Sequence, residues 1–181
     1  MKSEQYINSV NLNAGTEFPY LVLDVHEQES VPRNPGFQVL HWHEDLQFVY
    51  VFEGSAELQT LEESVRLKAG EGVFLNKNVV HQIRQGEGCH YNSFLFPEQF
   101  LKFYPGSPAA DLVEKITTNQ ALPYLFLHPD GAWQTVVLQQ LHELAELEWH
   151  KTVFYPYEVL TRLVALWLIL QKNVSLPPQK Q

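Results

Sequence analysis

Basic side chains are scarce in this chain: 12 lysines and arginines stand against 21 aspartates and glutamates in 181 residues, a formal charge of −9. Such a surface repels phosphate, so this segment is not expected to grip nucleic acid by itself. Cysteine is nearly missing as well. Cys89 alone excludes an internal disulfide framework, suits a reducing compartment, and reads as a small buried apolar residue. No apolar run is long enough for a bilayer, which needs roughly 20 residues; the most apolar, 159–170, is broken by Arg162. Residues 1–13 carry Lys2, Glu4 and Gln5 without an apolar stretch, so no signal peptide is visible. A phosphate-cradling glycine loop is lacking, and Ser55 has no Gly-x-Ser-x-Gly context, which argues against a serine hydrolase. With 45% hydrophobic residues and 13% aromatics, the expectation is a folded, cytoplasmic chain able to bury a sizeable core.

The character of the chain changes near Pro97. Before it, residues 20–25, 37–43, 47–53, 55–61, 65–68, 73–75, 80–84 and 90–96 each read as a short strand. Gly54-Ser55, Gly70-Glu71-Gly72 and Gly86-Glu87-Gly88 supply turns between them. Strands at this spacing predict a sandwich or barrel, not a parallel α/β sheet. The run Gln47-Phe48-Val49-Tyr50-Val51-Phe52 is apolar almost throughout, so it is expected to be covered on both faces. Val49 and Val51 would point inward beside Gln47, and Phe48, Tyr50 and Phe52 would meet a second layer.

Two helices are expected to supply that layer. Residues 133–150 place Val136, Val137, Leu141, Leu144, Ala145 and Leu147 near helical spacing, with Asp130-Gly131 at the start. Pro156 opens another helix, with Val159, Leu160, Leu163, Val164, Leu166, Trp167 and Leu170 on a broad stripe. Each large apolar side chain removed from water is worth roughly 1.5–3 kcal/mol, so that stripe is expected to be covered by the barrel, by a second copy, or by both. Glu143, Glu146 and Glu148 read as the solvated side of the first helix. His142 and His150 lie eight apart with Glu146 between them, so the helical metal spacing is missing.

The chemistry is concentrated in His41-Trp42-His43-Glu44-Asp45-Leu46-Gln47. Alternate side chains on a strand share a face, so His41 and His43 point the same way and Trp42 points oppositely, toward the helices. Two adjacent imidazoles can grip a metal, bind a polar ligand, or hydrogen-bond inside a barrel. Downstream, Gly70-Glu71-Gly72-Val73-Phe74-Leu75-Asn76-Lys77-Asn78-Val79-Val80-His81 ends in a third histidine.

This arrangement resembles the two sequence motifs of the cupin β-barrels. The family's ligand positions, carried over residue by residue, fall on His41, His43, Gln47 and His81. The chain departs from the pattern in several places. Gln47 replaces a glutamate, and a neutral amide oxygen binds a divalent ion more weakly than a carboxylate. Asn76 and Asn78 replace the usual proline and glycine of the second motif, Gln85 stands at its asparagine position, and Gly36 is one residue out of register. The phrasing from His41 to Gly54, followed by Lys68 to His81, is similar to the N-terminal domain of AraC-type transcriptional regulators, over roughly residues 18–170.

That resemblance implies a mainly β fold with α: a cupin double-stranded β-helix (jelly-roll barrel) followed by C-terminal helices. It implies a barrel with an N-terminal arm over 1–96, a helical segment over 97–172 that packs on the barrel and dimerises, and a tail or linker over 173–181. The barrel would hold a small polar effector such as a sugar or organic acid at His41, His43, Gln47 and His81, and no catalytic residues are expected. DNA would be read by a separate C-terminal half, since the final helix carries Arg162 among leucines and not a basic recognition face. No cofactor is expected, although three histidines can hold a divalent metal. The alternatives are a metal-dependent cupin enzyme, a dioxygenase or isomerase using His41, His43 and His81, and a plain dimerisation module with a filled barrel.

Overall fold

A computed structural model describes residues 5–178; Lys2, Glu4 and the closing Gln179-Lys180-Gln181 lie outside the described residues. Within the described residues, eleven strands form two sheets. In chain order they are β1 (Ile7–Asn8), β2 (Leu21–His26), β3 (Glu29–Val31), β4 (His41–Trp42), β5 (Leu46–Glu53), β6 (Ser55–Thr60), β7 (Ser64–Lys68), β8 (Gly72–Leu75), β9 (His81–Gln85), β10 (His90–Phe96) and β11 (Tyr124–Leu127). The first sheet runs β1-β4-β9-β6-β7 and the second β11-β8-β5-β10-β2-β3. The helices are α1 (Gln99–Lys102), α2 (Ala109–Thr117), α3 (Ala132–Trp149) and α4 (Tyr155–Asn173). The chain is thus sheet-rich with helices at the C-terminal side, as expected. Among the described residues, no helix is long and apolar enough to cross a membrane.

The double-sided strand behaves as its composition requires. Val49 and Val51 join Leu23, Val25, Leu58 and Leu67 in the core between the sheets. Phe48 points the other way, into a second core shared with Leu141, Leu144, Leu163 and Trp167 of the two long helices. Gly54 makes the tight reversal from β5 to β6 at φ 66°, where a Cβ would stand 2.5 Å from the Glu87 carbonyl oxygen. Only glycine fits there.

Several local expectations fail, each for a readable reason. Residues 37–43 do not form one strand: Pro35–Gln38 is a 3₁₀ turn capped by the Asn34 side chain, and strand geometry covers His41–Trp42 alone. Asn-Pro-Gly favours the turn over extension. Trp42 does not face the helices either; its indole N–H donates to the Tyr6 carbonyl (3.3 Å) in the N-terminal arm. β4 belongs to the sheet remote from the helices, so its outer face meets the arm instead. β11 lies inside the segment expected to be helical and adds an edge to β8. Val136 is 40% exposed and leaves the α3 stripe, whereas Val137, Leu141, Leu144 and Ala145 are buried. Glu143 is not merely solvated, since it pairs with Arg162 of α4.

Candidate functional site

The first motif and the second meet in the five-stranded sheet, where β4 and β9 pair antiparallel with His41 opposite His81. His43 follows directly and shares that face. All three rings turn into the barrel: His41 is 6% exposed, His43 3% and His81 0%. Their ring centroids lie 4.6 Å (His41–His81), 5.2 Å (His43–His81) and 5.8 Å (His41–His43) apart. Gln47, on β5 of the opposite sheet, reaches across to them and is itself 4% exposed.

The orientation of each ring is fixed by its own backbone neighbourhood. Nδ1–H of His41 donates to the Val39 carbonyl (2.7 Å), that of His43 to the Asp45 carbonyl (2.9 Å) and that of His81 to the Val79 carbonyl (2.8 Å). With the proton held on Nδ1, a neutral imidazole presents a lone pair at Nε2. Burial keeps these rings neutral. It lowers the His41 pKa to about 4, against the pull of its bond to Val39, and it lowers those of His43 and His81 too.

The result is a cluster of Nε2 lone pairs converging on the Gln47 amide. The Gln47 Oε1 lies 2.9 Å from His43 Nε2 and 3.0 Å from His81 Nε2, while its Nε2–H donates to Ser93 Oγ (3.0 Å). An oxygen acceptor facing two neutral lone pairs is repulsive. Two arrangements relieve it: the amide turned so that its NH₂ donates to both rings, or a cation held among the three nitrogens and the oxygen. Among the described residues, His41, His43 and His81 form a group whose ligand atoms all lie within 4.8 Å of one another.

Hydrogen bonds tie this cluster to two other parts of the chain. Asn11 of the arm donates through Nδ2 to the Asp45 carboxylate (2.6 Å) and to the Pro19 carbonyl (3.2 Å). Burial pushes the Asp45 carboxyl up, with the Asn11 bond opposing. Beyond Pro19, Phe18 stacks on Phe100 at 5.4 Å and meets Tyr155 of α4 edge-on at 6.1 Å. On the second-motif side, Asn76 donates to the carbonyls of Ile116 (2.9 Å) and Leu122 (3.1 Å). That explains an asparagine where a proline is usual: it pins the α2–β11 connection.

All four residues singled out from sequence, His41, His43, Gln47 and His81, are therefore brought together. Sequence reasoning missed Ser93, Asp45, Asn11 and Asn76. Ser93 left one signal, a small polar residue at the edge of the apolar Phe94-Leu95-Phe96 stretch of β10. Asn11 left none, because its partner is 34 residues away.

Comparison with known proteins adds relatives. The family profile described as AraC-like ligand binding domain matches residues 28–152. The chain is 28% identical over 146 residues to the uncharacterised HTH-type transcriptional regulator YdeC of Bacillus subtilis, covering 76% of this chain and 47% of that protein. Among solved structures, apo ToxT K231A from Vibrio cholerae superposes with a TM-score of 0.54 at 14% identity, over 87% of this chain and 58% of that one. At that identity the likeness concerns the fold alone. The chain thus spans about half the length of these relatives.

Proposed function

The chain belongs to the AraC-like ligand-binding domain family, and from that premise we propose that it is the effector-sensing portion of a transcriptional regulator. DNA is contacted through a separate C-terminal half, as the length of the regulator YdeC relative to this chain suggests. The effector is a small polar molecule such as a sugar or organic acid, oriented by His41, His43, Gln47 and His81. The observation that carries this reading is two buried, neutral imidazoles, His43 and His81, meeting at the Gln47 amide with His41 beside them. Buried acceptors aimed at one point demand a donor or a cation, and a ligand hydroxyl or protonated acid satisfies them.

Effector binding is coupled to the arm, because Asn11 holds the Asp45 carboxylate and the Asp45 carbonyl holds the His43 ring. The arm is packed through Phe18 on Phe100 and Tyr155. Arm displacement therefore biases α4, and through it the helix pair. That pair dimerises: the buried faces of α3 and α4 are spent on the barrel, yet Tyr157 (75%), Phe154 (68%), Val153 (86%) and Leu168 (49%) remain open to solvent. A thermal-shift screen of small sugars and organic acids tests the site. Hits weakened at least tenfold by His41→Ala and by His81→Ala support it; unchanged binding in both removes the pocket from consideration.

A second reading, a divalent metal at the same residues, is favoured by one specific feature. All three Nδ1–H groups donate to backbone carbonyls, which is how metal-bound imidazoles are held in place. The donor set of three imidazoles and an amide oxygen fits such an ion, with His41, His43 and His81 as ligands and Gln47 as the weaker fourth. When bound, the ion supplies Lewis acidity, and the chain would be a metal-dependent cupin enzyme or a metal-loaded sensor. Elemental analysis of protein purified without added metal separates the readings. Near-stoichiometric metal that disappears in His43→Ala supports the ion; metal-free wild-type protein supports the organic effector.

A further inference from the structure

Outside the barrel, behind the strand ends that carry the histidines, lies a cleft of about 1130 Å³ that neither reading above uses. Its walls come from four parts of the chain. The β6–β7 turn gives Glu62 and Glu63, the residues just before β9 give Val79 and Val80, and the α2–β11 connection with the start of β11 gives Ala121 and Tyr124. The fourth wall is the C-terminal segment, through Pro177 and Pro178. That segment is held in place by Asn119, which is 3% exposed and donates through Nδ2 to the Pro177 carbonyl (3.0 Å).

The lining has a consistent chemical character. Valines, prolines and alanine make apolar walls, and one aromatic ring stands among them. Among the described residues, the lining carries two carboxylates and no basic side chain. One of these is oriented: the Tyr124 hydroxyl donates to Glu63 Oε1 at 2.6 Å, so the carboxylate is held against the ring and not left to sweep through solvent. Burial and the Glu63 carboxylate push the Tyr124 hydroxyl up to about 12, so it remains a donor throughout the physiological range. The chain's formal charge of −9 adds a general field of the same sign.

We infer that this cleft binds an organic cation with an apolar body, such as an arylalkyl amine, and that its occupancy is felt directly by the C-terminal segment. An anion would meet two carboxylates with no compensating charge among the described lining residues. A fully apolar molecule would leave them unused. A protonated amine beside Glu62 and Glu63, with its apolar part against Tyr124 and the prolines, satisfies both halves of the lining. Because Pro177 and Pro178 form one wall, a ligand here touches the C-terminal segment directly. The site also abuts the histidine cluster, since Val79 beside the cleft accepts the His81 Nδ1–H and Thr60 of β6 lies opposite His81. This inference is independent of what occupies the barrel interior.

The magnitudes set the test. Solvent-accessible ion pairs change affinity by only about two- to fivefold each, so binding is expected near the millimolar range. The probes are 2-phenylethylamine and, as the anion of similar shape, 3-phenylpropionate, titrated to about 10 mM with the protein observed by NMR. Expected are saturable shifts with the amine and none with the carboxylate. Binding should weaken about fivefold or more in Glu62→Gln/Glu63→Gln, vanish in Ala121→Trp, which fills the cleft, and survive in His41→Ala. Amide exchange at Val174, Ser175 and Leu176 should slow when the amine is present. Equal binding of the carboxylate, no binding of the amine, an unaffected double glutamine variant, or loss in His41→Ala alone would each overturn the assignment. Loss in His41→Ala alone would instead place the amine inside the barrel.

Discussion

His41, His43 and His81 sit inside the barrel, whereas His26, His90 and His142 gather on the rim of the six-stranded sheet. Both groups hold three imidazoles close to aromatic or imidazole neighbours. On the rim, His90 stacks on Phe52 at 5.0 Å, His26 meets His90 edge-on at 5.4 Å, and His142 lies against Phe52 at 5.7 Å. The partners differ. His90 Nε2–H donates to the Asp24 carboxylate at 2.6 Å, a charged and half-exposed acceptor, while each inner ring donates to a backbone carbonyl. A carboxylate occupies the nitrogen that faces it, so His90 offers no free lone pair on that side. Backbone carbonyls hold Nδ1 of the inner rings, and the Nε2 atoms of His43 and His81 meet at Gln47 with His41 close by. Residue type is the same in both places; the hydrogen-bond partner and the water content decide what the imidazoles can do.

Acid should separate the two groups of histidines most strongly. Burial lowers the His41 pKa to about 4, below the ordinary value of 6.5. Between these values the unfolded chain takes up a proton that the native ring refuses, so stability is full above pH 6.5 and falls as the pH drops toward 4. For His41 alone the loss approaches about 3 kcal/mol, and His43 and His81 add to it in the same direction. Urea unfolding of chelator-treated protein at a series of pH values measures this. A flat profile across that window would show that the inner rings are solvated or already charged.

Gln47→Leu should cost about 2–3 kcal/mol at neutral pH, because it strands the Ser93 hydroxyl and two buried imidazole nitrogens. Denaturant midpoints check it, and a neutral outcome would mean that water already serves those atoms. Gln47→Glu addresses the metal reading directly. A carboxylate at that position should raise retention of added zinc or manganese about tenfold over wild type, read by equilibrium dialysis. Indifference to that change would argue that the three nitrogens do not act as a ligand set. The smallest effect belongs to the rim: His90→Gln should shift stability by less than about 1 kcal/mol, since Asp24 and His90 form a partly exposed pair.

Much of the fold was legible because its signals are local. The alternation that sends Val49 and Val51 one way and Phe48 the other follows from strand geometry, and the structure seats them in two different cores. The long helices begin within one residue of the positions marked by Gly131 and Pro156. The histidine face was legible for the same reason, since His41 and His43 are two apart. What escaped depends on contacts between distant segments. β1 and β3 are short edges that carry no periodic signal, and β11 forms because β8 offers an open edge. Trp42 was assigned to the wrong neighbour because alternation gives a direction but not what waits there.

The resemblance to the cupin motifs supplied Gln47 and His81; sequence alone determined that His41 and His43 share a face, because strand alternation is a one-dimensional fact. It also determined which strand would be covered on both sides. Only the tertiary structure decided that Gln47 crosses from one sheet to the other to meet His43 and His81, that Asn11 closes the arm over Asp45, and that Pro177 walls a cleft beside Val79. Those pairings join residues that are far apart in the chain. Their geometry is set by how two sheets close on each other, and sheet closure leaves no local trace in the order of the amino acids.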